Sequence, residues 1–233
     1  MKAVAIIQAR MGSTRLPGKV LKDIGGESML ARVVRRTQKA TLLDQVAVAT
    51  TIEPSDDAII TECENLGVLT FRGDEQDVLD RYYQAALSLN ADVVVRITSD
   101  CPFIDPFLID QAVHSFCAEM PDYASNGLAR TYPRGTMPEV MKMDALRRAW
   151  REAKEPYQRV HVTPYFYQNP DAFRLLPVSG GADYGDYRWS VDTPEDLEFA
   201  RAVYASLGNN DDYSWLDVLA LLNQQPDLMH INR

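Results

Sequence analysis

The sequence predicts an α/β protein built on a doubly wound, mostly parallel sheet. Short apolar runs of the kind that form buried strands recur along the first hundred residues. Segments in which apolar residues recur with helical spacing separate these runs, and this alternation is typical of a parallel sheet covered by helices on both faces. The predicted strands cover 3–7, 46–50, 68–71 and 93–97.

The helices expected between these strands are defined by apolar residues three or four positions apart. Their apolar positions are Met29, Leu30, Val33 and Val34, then Ala58, Ile59 and Leu66, then Val78, Leu79, Tyr82, Tyr83, Ala86 and Leu87. In a doubly wound sheet ligands bind beyond the carboxyl ends of the strands. The loops that follow the strands are therefore the expected functional segments.

The second half of the chain is less regular. Strand-like pieces at 122–126 and 140–142 precede helical stretches at 144–153 and 159–167. We expect the chain to form a single domain over 1–233, within which 121–187 supplies a substrate lid and a dimer surface.

A further helix is predicted to begin at Thr193-Pro194-Glu195-Asp196. Thr193 is a suitable cap, proline is favoured in the first turn, and the two acids complement the helix dipole. We expect this helix to continue to about Leu207.

Composition excludes several classes of protein. The chain has 233 residues, of which 46% are hydrophobic and 24% charged, as in ordinary globular proteins. No run approaches the roughly 20 apolar residues of a membrane helix, and the chain runs from Met1 straight into its first strand, so we expect a cytoplasmic protein. The net charge of −9 disfavours nucleic-acid binding. The three cysteines have no metal-ligand or disulfide spacing.

The segment after the first strand, 8–19, carries the strongest functional signal. It contains two glycines, two hydroxyl side chains and the cations Arg10, Arg15 and Lys19, with no acid. Glycine lets backbone N–H groups approach phosphate oxygens, arginine binds them in bidentate fashion, and lysine adds a mobile charge. This composition favours a polyphosphate site over the alternative, a basic surface turn.

The common phosphate-binding motifs are absent from this segment. Five residues separate Gly12 from Gly18, and Val20 follows Lys19, so the pattern is not that of a P-loop. The dinucleotide fingerprint is also missing, which argues against a dehydrogenase.

The same segment, Gln-Ala-Arg-Met-Gly-Ser-Thr-Arg-Leu-Pro-Gly-Lys, resembles the signature loop of the cytidylyltransferases. These include the CMP-sialic acid and CMP-Kdo synthetases, and the closest branch is the spore-coat polysaccharide biosynthesis protein F group. The resemblance extends over nearly the whole chain, through 72–74, 78–81, 96–102, 132–135, 161–165 and 191–196.

The resemblance implies a nucleotide-diphosphosugar transferase fold of the glycosyltransferase-A type, a homodimer, and a role in surface polysaccharide biosynthesis. The implied reaction is Mg²⁺-dependent transfer of CMP from CTP to a sugar acid, with release of pyrophosphate. The implied nucleotide-binding residues are Gln8, Ala9, Arg10, Gly12, Ser13, Arg15, Lys19, Arg72 and Asp74. For Arg72 and Asp74 a solvated helix start is the alternative.

By position, Asp100 and Asp192 match the family's metal carboxylates. Mg²⁺ prefers hard oxygen ligands and commonly takes one or two carboxylates together with substrate phosphates. The alternatives are a turn residue for Asp100 and a helix-flanking acid for Asp192. Arg10 and Lys19 are expected to hold the β- and γ-phosphates. The expected catalytic residues are therefore Arg10, Lys19 and Asp100, and no covalent nucleophile is needed.

The acceptor is expected to meet residues of the second half. By the same resemblance these are Arg134, Glu139, Arg159 and His161, since arginines suit a carboxylate or phosphate. The alternative for His161 is a structural role. The chain departs from close relatives at Val160 and at 136–138, which leaves the acceptor's identity open.

Two other functions remain open. A glycosyltransferase of the same fold would use a ready-made nucleotide sugar, but Asp100-Cys101-Pro102 lacks the second aspartate of the usual D-x-D motif. A non-catalytic nucleotide sensor would have little reason to keep two metal-type aspartates. A nucleotide other than CTP is also compatible with the loop.

Overall fold

The computed structural model describes residues 1–232 and contains a central seven-stranded sheet and a small two-stranded one. Within these residues the strands are β1 (Ala3–Gln8), β2 (Asp23–Ile24), β3 (Glu27–Ser28), β4 (Gln45–Thr51), β5 (Leu69–Gly73), β6 (Val93–Thr98), β7 (Tyr123–Ser125), β8 (Glu139–Lys142) and β9 (Leu175–Pro177). The α-helices are α1 (Met29–Gln38), α2 (Asp57–Asn65), α3 (Val78–Ser88), α4 (Pro106–Glu119), α5 (Met143–Glu152), α6 (Pro156–His161), α7 (Pro164–Tyr167), α8 (Pro194–Ser206) and α9 (Trp215–Gln224).

The strand order in the main sheet is β5-β4-β1-β6-β8-β7-β9. β5, β4, β1 and β6 are mutually parallel, whereas β8 runs antiparallel to both β6 and β7. After β1 the chain fills one side of that strand with β4 and β5, and it then crosses to the other side to form β6. The switch of direction leaves a crevice beyond the carboxyl ends of β1 and β6, where open α/β sheets bind ligands.

Helices cover both faces of the sheet, as the alternation of apolar segments predicted. Ala3, Ala5 and Ile7 of β1 belong to one apolar cluster, which α1, α4 and α8 complete. Val4 and Ile6 belong to a second cluster, which α3 and α5 complete. Because both faces of β1 are buried, its sequence is apolar throughout rather than alternating.

Most of the predicted elements are confirmed, with shifts of a few residues at their ends. The helix predicted from Thr193 is α8, which begins at Pro194 and carries a capping box between Thr193 and Asp196. The hairpin β2–β3, helices α4 and α9, and strand β9 are elements that the sequence reasoning did not identify. The region 121–187 continues the main sheet through β8, β7 and β9.

The single helix predicted over 159–167 is wrong, because the chain breaks between α6 and α7 at Val162. Val162 has φ 70° and ψ −59°, and the Thr163 N–H donates to the His161 carbonyl at 2.8 Å. This is a γ-turn of the strained form, which is unusual for a β-branched residue. The Val162 side chain is fully buried, so apolar packing holds the turn in place.

The domain assignment stays a prediction, as do the substrate lid and the dimer surface expected in 121–187. Arg233, the last residue of the predicted domain, lies outside the described residues. No helix within residues 1–232 combines the length and the apolar character needed to cross a membrane.

Buried arginines on α1 attach the carboxyl-terminal elements to the sheet. Arg36 has no exposed surface; its Nε donates to the Ile104 carbonyl at 2.7 Å, and its Nη1 donates to the Tyr213 carbonyl at 3.1 Å. Its Nη2 lies 3.7 Å from the carboxylate of Asp105, which also accepts a hydrogen bond from the Trp215 N–H at the start of α9. One guanidinium thus joins α1, α4 and α9.

We expect Arg36→Met to lower the free energy of unfolding by about 3–4 kcal/mol, because it leaves the buried Asp105 carboxylate and several carbonyls without their cation. Arg35→Met is the matched control on the same helix, since Arg35 makes only a surface ion pair with Glu27. That pair should contribute less than about 1 kcal/mol. Urea denaturation of both variants measures the difference, and equal losses would contradict this account of Arg36.

Candidate functional site

The crevice beyond β1 and β6 brings together the loop that follows each strand. The segment 8–19, called the phosphate loop below, leaves the end of β1. The loop after β6 carries Asp100, and the register pairs Gln8 of β1 with Thr98 of β6. The parallel pairing therefore places the start of the phosphate loop beside Asp100.

The phosphate loop folds around the backbone of Met11. The Met11 carbonyl accepts hydrogen bonds from the N–H groups of Ser13 at 2.8 Å and Gly18 at 3.1 Å. Gly18 has φ 66°, a left-handed conformation that glycine adopts without strain. The loop closes at this turn, and Lys19 begins the short 3₁₀ helix that follows it.

Asp56 anchors the loop to the neighbouring strand. Its carboxylate accepts hydrogen bonds from the Met11 N–H at 2.8 Å and from the hydroxyls of Thr50 and Thr51 at 2.9 and 2.6 Å. Burial raises the pKa of Asp56, but the hydrogen bonds from Thr51, Met11 and Thr50 outweigh it and hold the pKa below its usual value. Asp56 is therefore an ionised acceptor at neutral pH.

Lys19 lies between the two aspartates predicted as metal ligands. Its Nζ donates to Asp100 Oδ2, to Asp192 Oδ1 and to the Val191 carbonyl, each at 2.9 Å. Arg15 adds a second cation, whose Nη2 lies 2.9 Å from Asp192 Oδ1. The two carboxylates thus converge on one cation position.

These contacts keep the cluster charged. Burial lowers the pKa of Lys19, but Asp100 and Asp192 more than compensate, and the pKa lies above the usual value of 10.5. Burial raises the pKa of Asp100. The Lys19 charge and the Thr98 hydrogen bond lower it by more, so the net shift is downward. Both groups are ionised at neutral pH.

Hydrogen bonds to the backbone at and beside Asp192 fix its position. The Val191 N–H donates to the Asp100 carbonyl at 2.8 Å, which fixes the two aspartates side by side although they are far apart in sequence. The N–H groups of Asp192 and Thr193 both donate to Asp196 Oδ2 at 2.9 Å. The capping box of α8 therefore also sets the position of Asp192.

The first of two adjoining cavities has a volume of about 340 Å³ and is rich in cations and hydroxyl groups. It lies above the phosphate loop and is closed on one side by Val160 and His161 of α6. Its polar lining residues are Gln8, Arg10, Ser13, Thr14, Arg15, Lys19, Arg81, Arg96, Thr98, Ser99, Asp100, His161 and Asp192.

The second cavity has a volume of about 570 Å³ and lies over β7 and β8. Its charged lining residues are Arg96, Asp100, Arg130, Arg134, Glu139 and Asp192, and Tyr123 and Tyr167 add phenolic hydroxyls. Arg96, Thr98, Asp100 and Asp192 line both cavities and form what we call the shared wall. The Lys19–aspartate cluster is therefore the place where the two cavities meet.

Most of the predicted nucleotide residues line the first cavity, namely Gln8, Ala9, Arg10, Ser13, Arg15 and Lys19. Gly12, Arg72 and Asp74 lie outside the lining of both cavities. Arg72 donates to the Thr51 and Glu53 carbonyls at 2.8 and 3.0 Å, and Asp74 accepts from the Gln76 N–H. Both side chains therefore form hydrogen bonds with nearby backbone groups and stabilise their own loops.

The predicted acceptor residues are divided among three places. Arg134 and Glu139 line the second cavity, whereas His161 lines the first. Burial and the nearby Arg96 cation lower the pKa of His161 below 6.5, so the imidazole is neutral at pH 7. Arg159 lies outside both cavities, since its guanidinium pairs with Asp77 at the start of α3.

Several residues of the site were not selected by sequence reasoning. Arg96, Arg81, Tyr123, Arg130 and Tyr167 all line one or both cavities. For Arg96 a signal was present, because a cation in the middle of an otherwise apolar strand is unusual. The others gave no local signal, since their positions depend on how distant segments pack.

Comparison with known proteins gives the family. The family model described as cytidylyltransferase matches residues 4–217. The spore coat polysaccharide biosynthesis protein SpsF of Bacillus subtilis is 34% identical over 95% of this chain and 94% of its own length. The 3-deoxy-manno-octulosonate cytidylyltransferase of Solibacter usitatus is 32% identical over 89% of this chain and 98% of its own length.

The fold comparison agrees. The solved structure of a cytidylyltransferase from Leptospira borgpetersenii superposes with a TM-score of 0.94 at 32% identity, over 98% of this chain and 97% of that one. The residues matched by the family model, 4–217, include the lining residues of both cavities. On these grounds the chain belongs to the cytidylyltransferase family.

Proposed function

We propose that the protein transfers CMP from CTP to a sugar acid and releases pyrophosphate. The observation that carries this proposal is the pair of cavities that meet at Asp100 and Asp192. A transferase must hold a donor and an acceptor so that their reacting atoms touch. Here one cavity is suited to a triphosphate, the other is suited to an anionic acceptor, and both open onto the same two carboxylates.

The first cavity would take the triphosphate of the donor. Arg10, Arg15 and Lys19 offer positive charge along one side of it, and the hydroxyls of Ser13 and Thr14 add hydrogen-bond donors. In phosphoryl-type transfers, catalysis consists mainly of positioning and neutralisation of charge, which these groups supply. No protein nucleophile is required.

Asp100 and Asp192 would hold a magnesium ion. The Lys19 ammonium, 2.9 Å from an oxygen of each carboxylate, supports this assignment because one cation already bridges the pair. Within residues 1–232 no group of three or more metal-type side chains exists, so phosphate oxygens would complete the ligand set. When bound, Mg²⁺ supplies charge neutralisation and polarises the phosphate oxygens.

Lys19 would have two sets of partners in turn. In the structure its ammonium pairs with the two aspartates, and a triphosphate bound above the phosphate loop would offer it oxygens of higher charge density. Transfer of Lys19 from the carboxylates to the phosphates would free the carboxylate oxygens at the moment when the donor is present. The lysine side chain suits such a change, because it is a mobile point charge.

The second cavity would take the acceptor. Its Arg130 and Arg134 form no ion pair with any other described residue, which leaves two positive charges facing the space. A carboxylate on the acceptor would meet these arginines. The acceptor hydroxyl would then attack the α-phosphorus at the shared wall and lose its proton to solvent. The new O–P bond would form as the bond from the α-phosphorus to the oxygen that bridges to the β-phosphorus breaks, and pyrophosphate would leave with the electrons of that bond.

The relatives support an acceptor of this class. One is named for spore coat polysaccharide biosynthesis and another for 3-deoxy-manno-octulosonate, an eight-carbon sugar acid. We infer a nine-carbon or eight-carbon sugar acid that serves surface polysaccharide synthesis. A homodimer, as the family resemblance implies, is part of the same proposal.

The activity is tested by pyrophosphate release, with each of the four nucleoside triphosphates combined with a panel of sugar acids and Mg²⁺. We expect CTP with one sugar acid to be preferred, and Asp100→Asn to lower kcat by about 100-fold or more, because a charge at the reacting phosphate is lost. Asp171→Asn is the control, since this exposed carboxylate lines neither cavity. Unchanged turnover in Asp100→Asn would refute the assignment.

The role of the loop anchor is tested by calorimetric titration with CTP. Asp56→Asn should raise the dissociation constant about tenfold, or about 1.4 kcal/mol, because the amide cannot accept all the hydrogen bonds that now fix Met11. Asp44→Asn is the matched control, since Asp44 accepts the Ala3 N–H at 2.7 Å at the opposite end of β1. If both variants bind CTP as the wild type does, the loop does not depend on Asp56.

A further inference from the structure

Arg96 is a charged residue at the centre of the sheet and belongs to both cavities. It lies in β6 directly opposite Glu139 of β8, with which it forms a largely buried ion pair. Its Nη2 donates to Gln8 Oε1 at 3.0 Å, and its guanidinium packs near the Tyr82 ring. One side chain therefore contacts a residue of the first cavity and a residue of the second.

The net charge of the second cavity depends on Arg96. Lys19 and Arg15 together neutralise Asp100 and Asp192, and Arg96 neutralises Glu139. Only Arg130 and Arg134 then remain without an ion pair to another described residue. The cavity is thus positive overall, although it contains as many acids as arginines.

Among the carboxylates of this cavity, Glu139 is the one whose negative charge is offset by Arg96. Its Oε1 accepts the Tyr123 hydroxyl at 2.5 Å, which is a neutral partner and cannot offset the negative charge. Burial lowers the pKa of Arg96, but Glu139 raises it more, so the guanidinium is charged at neutral pH. Without Arg96, Glu139 would present an uncompensated negative charge to the acceptor.

We propose that Arg96 is a positioning residue that allows the second cavity to accept an anion, because it neutralises Glu139 and at the same time fixes Gln8 in the nucleotide cavity. This inference rests on the proposed function, since it takes the second cavity as the acceptor site. It assigns two separable effects to one side chain. The effect on the acceptor passes through Glu139, whereas the effect on the nucleotide passes through Gln8.

The test is a double-variant cycle with Arg96→Met, Glu139→Gln and the variant that carries both. KM is measured separately for CTP and for the sugar acid that gives the fastest pyrophosphate release in the wild type. Arg96→Met should raise the acceptor KM at least tenfold in the wild-type background but less than about threefold in the Glu139→Gln background. The KM for CTP should rise by the same factor in both backgrounds, because Gln8 is released in each.

Thermal melting of all variants distinguishes this role from a purely structural one. A structural role would lower the melting temperature and reduce kcat, with no rescue of the acceptor KM by Glu139→Gln. An equal rise of the acceptor KM in both backgrounds would overturn the inference and leave the proposed function intact. If calorimetry with α,β-methylene-CTP and Mg²⁺ shows that no sugar acid of the panel binds the wild type, both fall together.

Discussion

The contact of the Lys19 ammonium with Asp100 and Asp192 is the interaction around which the rest of the site is built. The three residues come from the loops after β1, after β6 and before α8, and each is fixed by its own backbone contacts. The hydrogen bond from the Val191 N–H to the Asp100 carbonyl holds the two aspartates side by side. The hydrogen bond from the Gly18 N–H to the Met11 carbonyl fixes the backbone just before Lys19. Two carboxylates so close together would repel each other without a cation, so the cluster holds its shape only while one is present.

The strand β6 organises the chemistry on either side of this cluster. Arg96 and Thr98 alternate along it and so lie on one face of the sheet, and Asp100 follows in the loop after the strand. The face forms the shared wall, with the phosphate loop on one side and the strands β8 and β7 on the other. The two cavities therefore have their common boundary where the parallel part of the sheet meets its antiparallel extension.

Much of this arrangement follows from local sequence. The alternation of apolar runs predicts the parallel sheet, the composition of 8–19 predicts the phosphate loop, and the cap at Thr193 predicts α8. The family resemblance implies that Asp100 and Asp192 bind a metal, and the structure places both carboxylates against Lys19. Their proximity depends on the crossover that places β6 beside β1.

What the sequence could not supply are interactions between distant segments. Arg159 resembles an acceptor residue in sequence, yet Asp77 binds its guanidinium and its side chain lines neither cavity. Val162 reads as part of a helix, and only its burial explains why the chain tolerates a strained turn there. Asp56 looks like an ordinary loop acid, and its role becomes visible only when Met11 lies against it.

We propose that Lys19 holds the cation position between Asp100 and Asp192 until a nucleotide binds. Titration of the nucleotide-free protein with Mn²⁺, followed by electron paramagnetic resonance, tests this role. Lys19→Met should bind Mn²⁺ at least tenfold more tightly than the wild type, and CTP should tighten Mn²⁺ binding to the wild type. Equal binding of Mn²⁺ by the nucleotide-free wild type and Lys19→Met would contradict it.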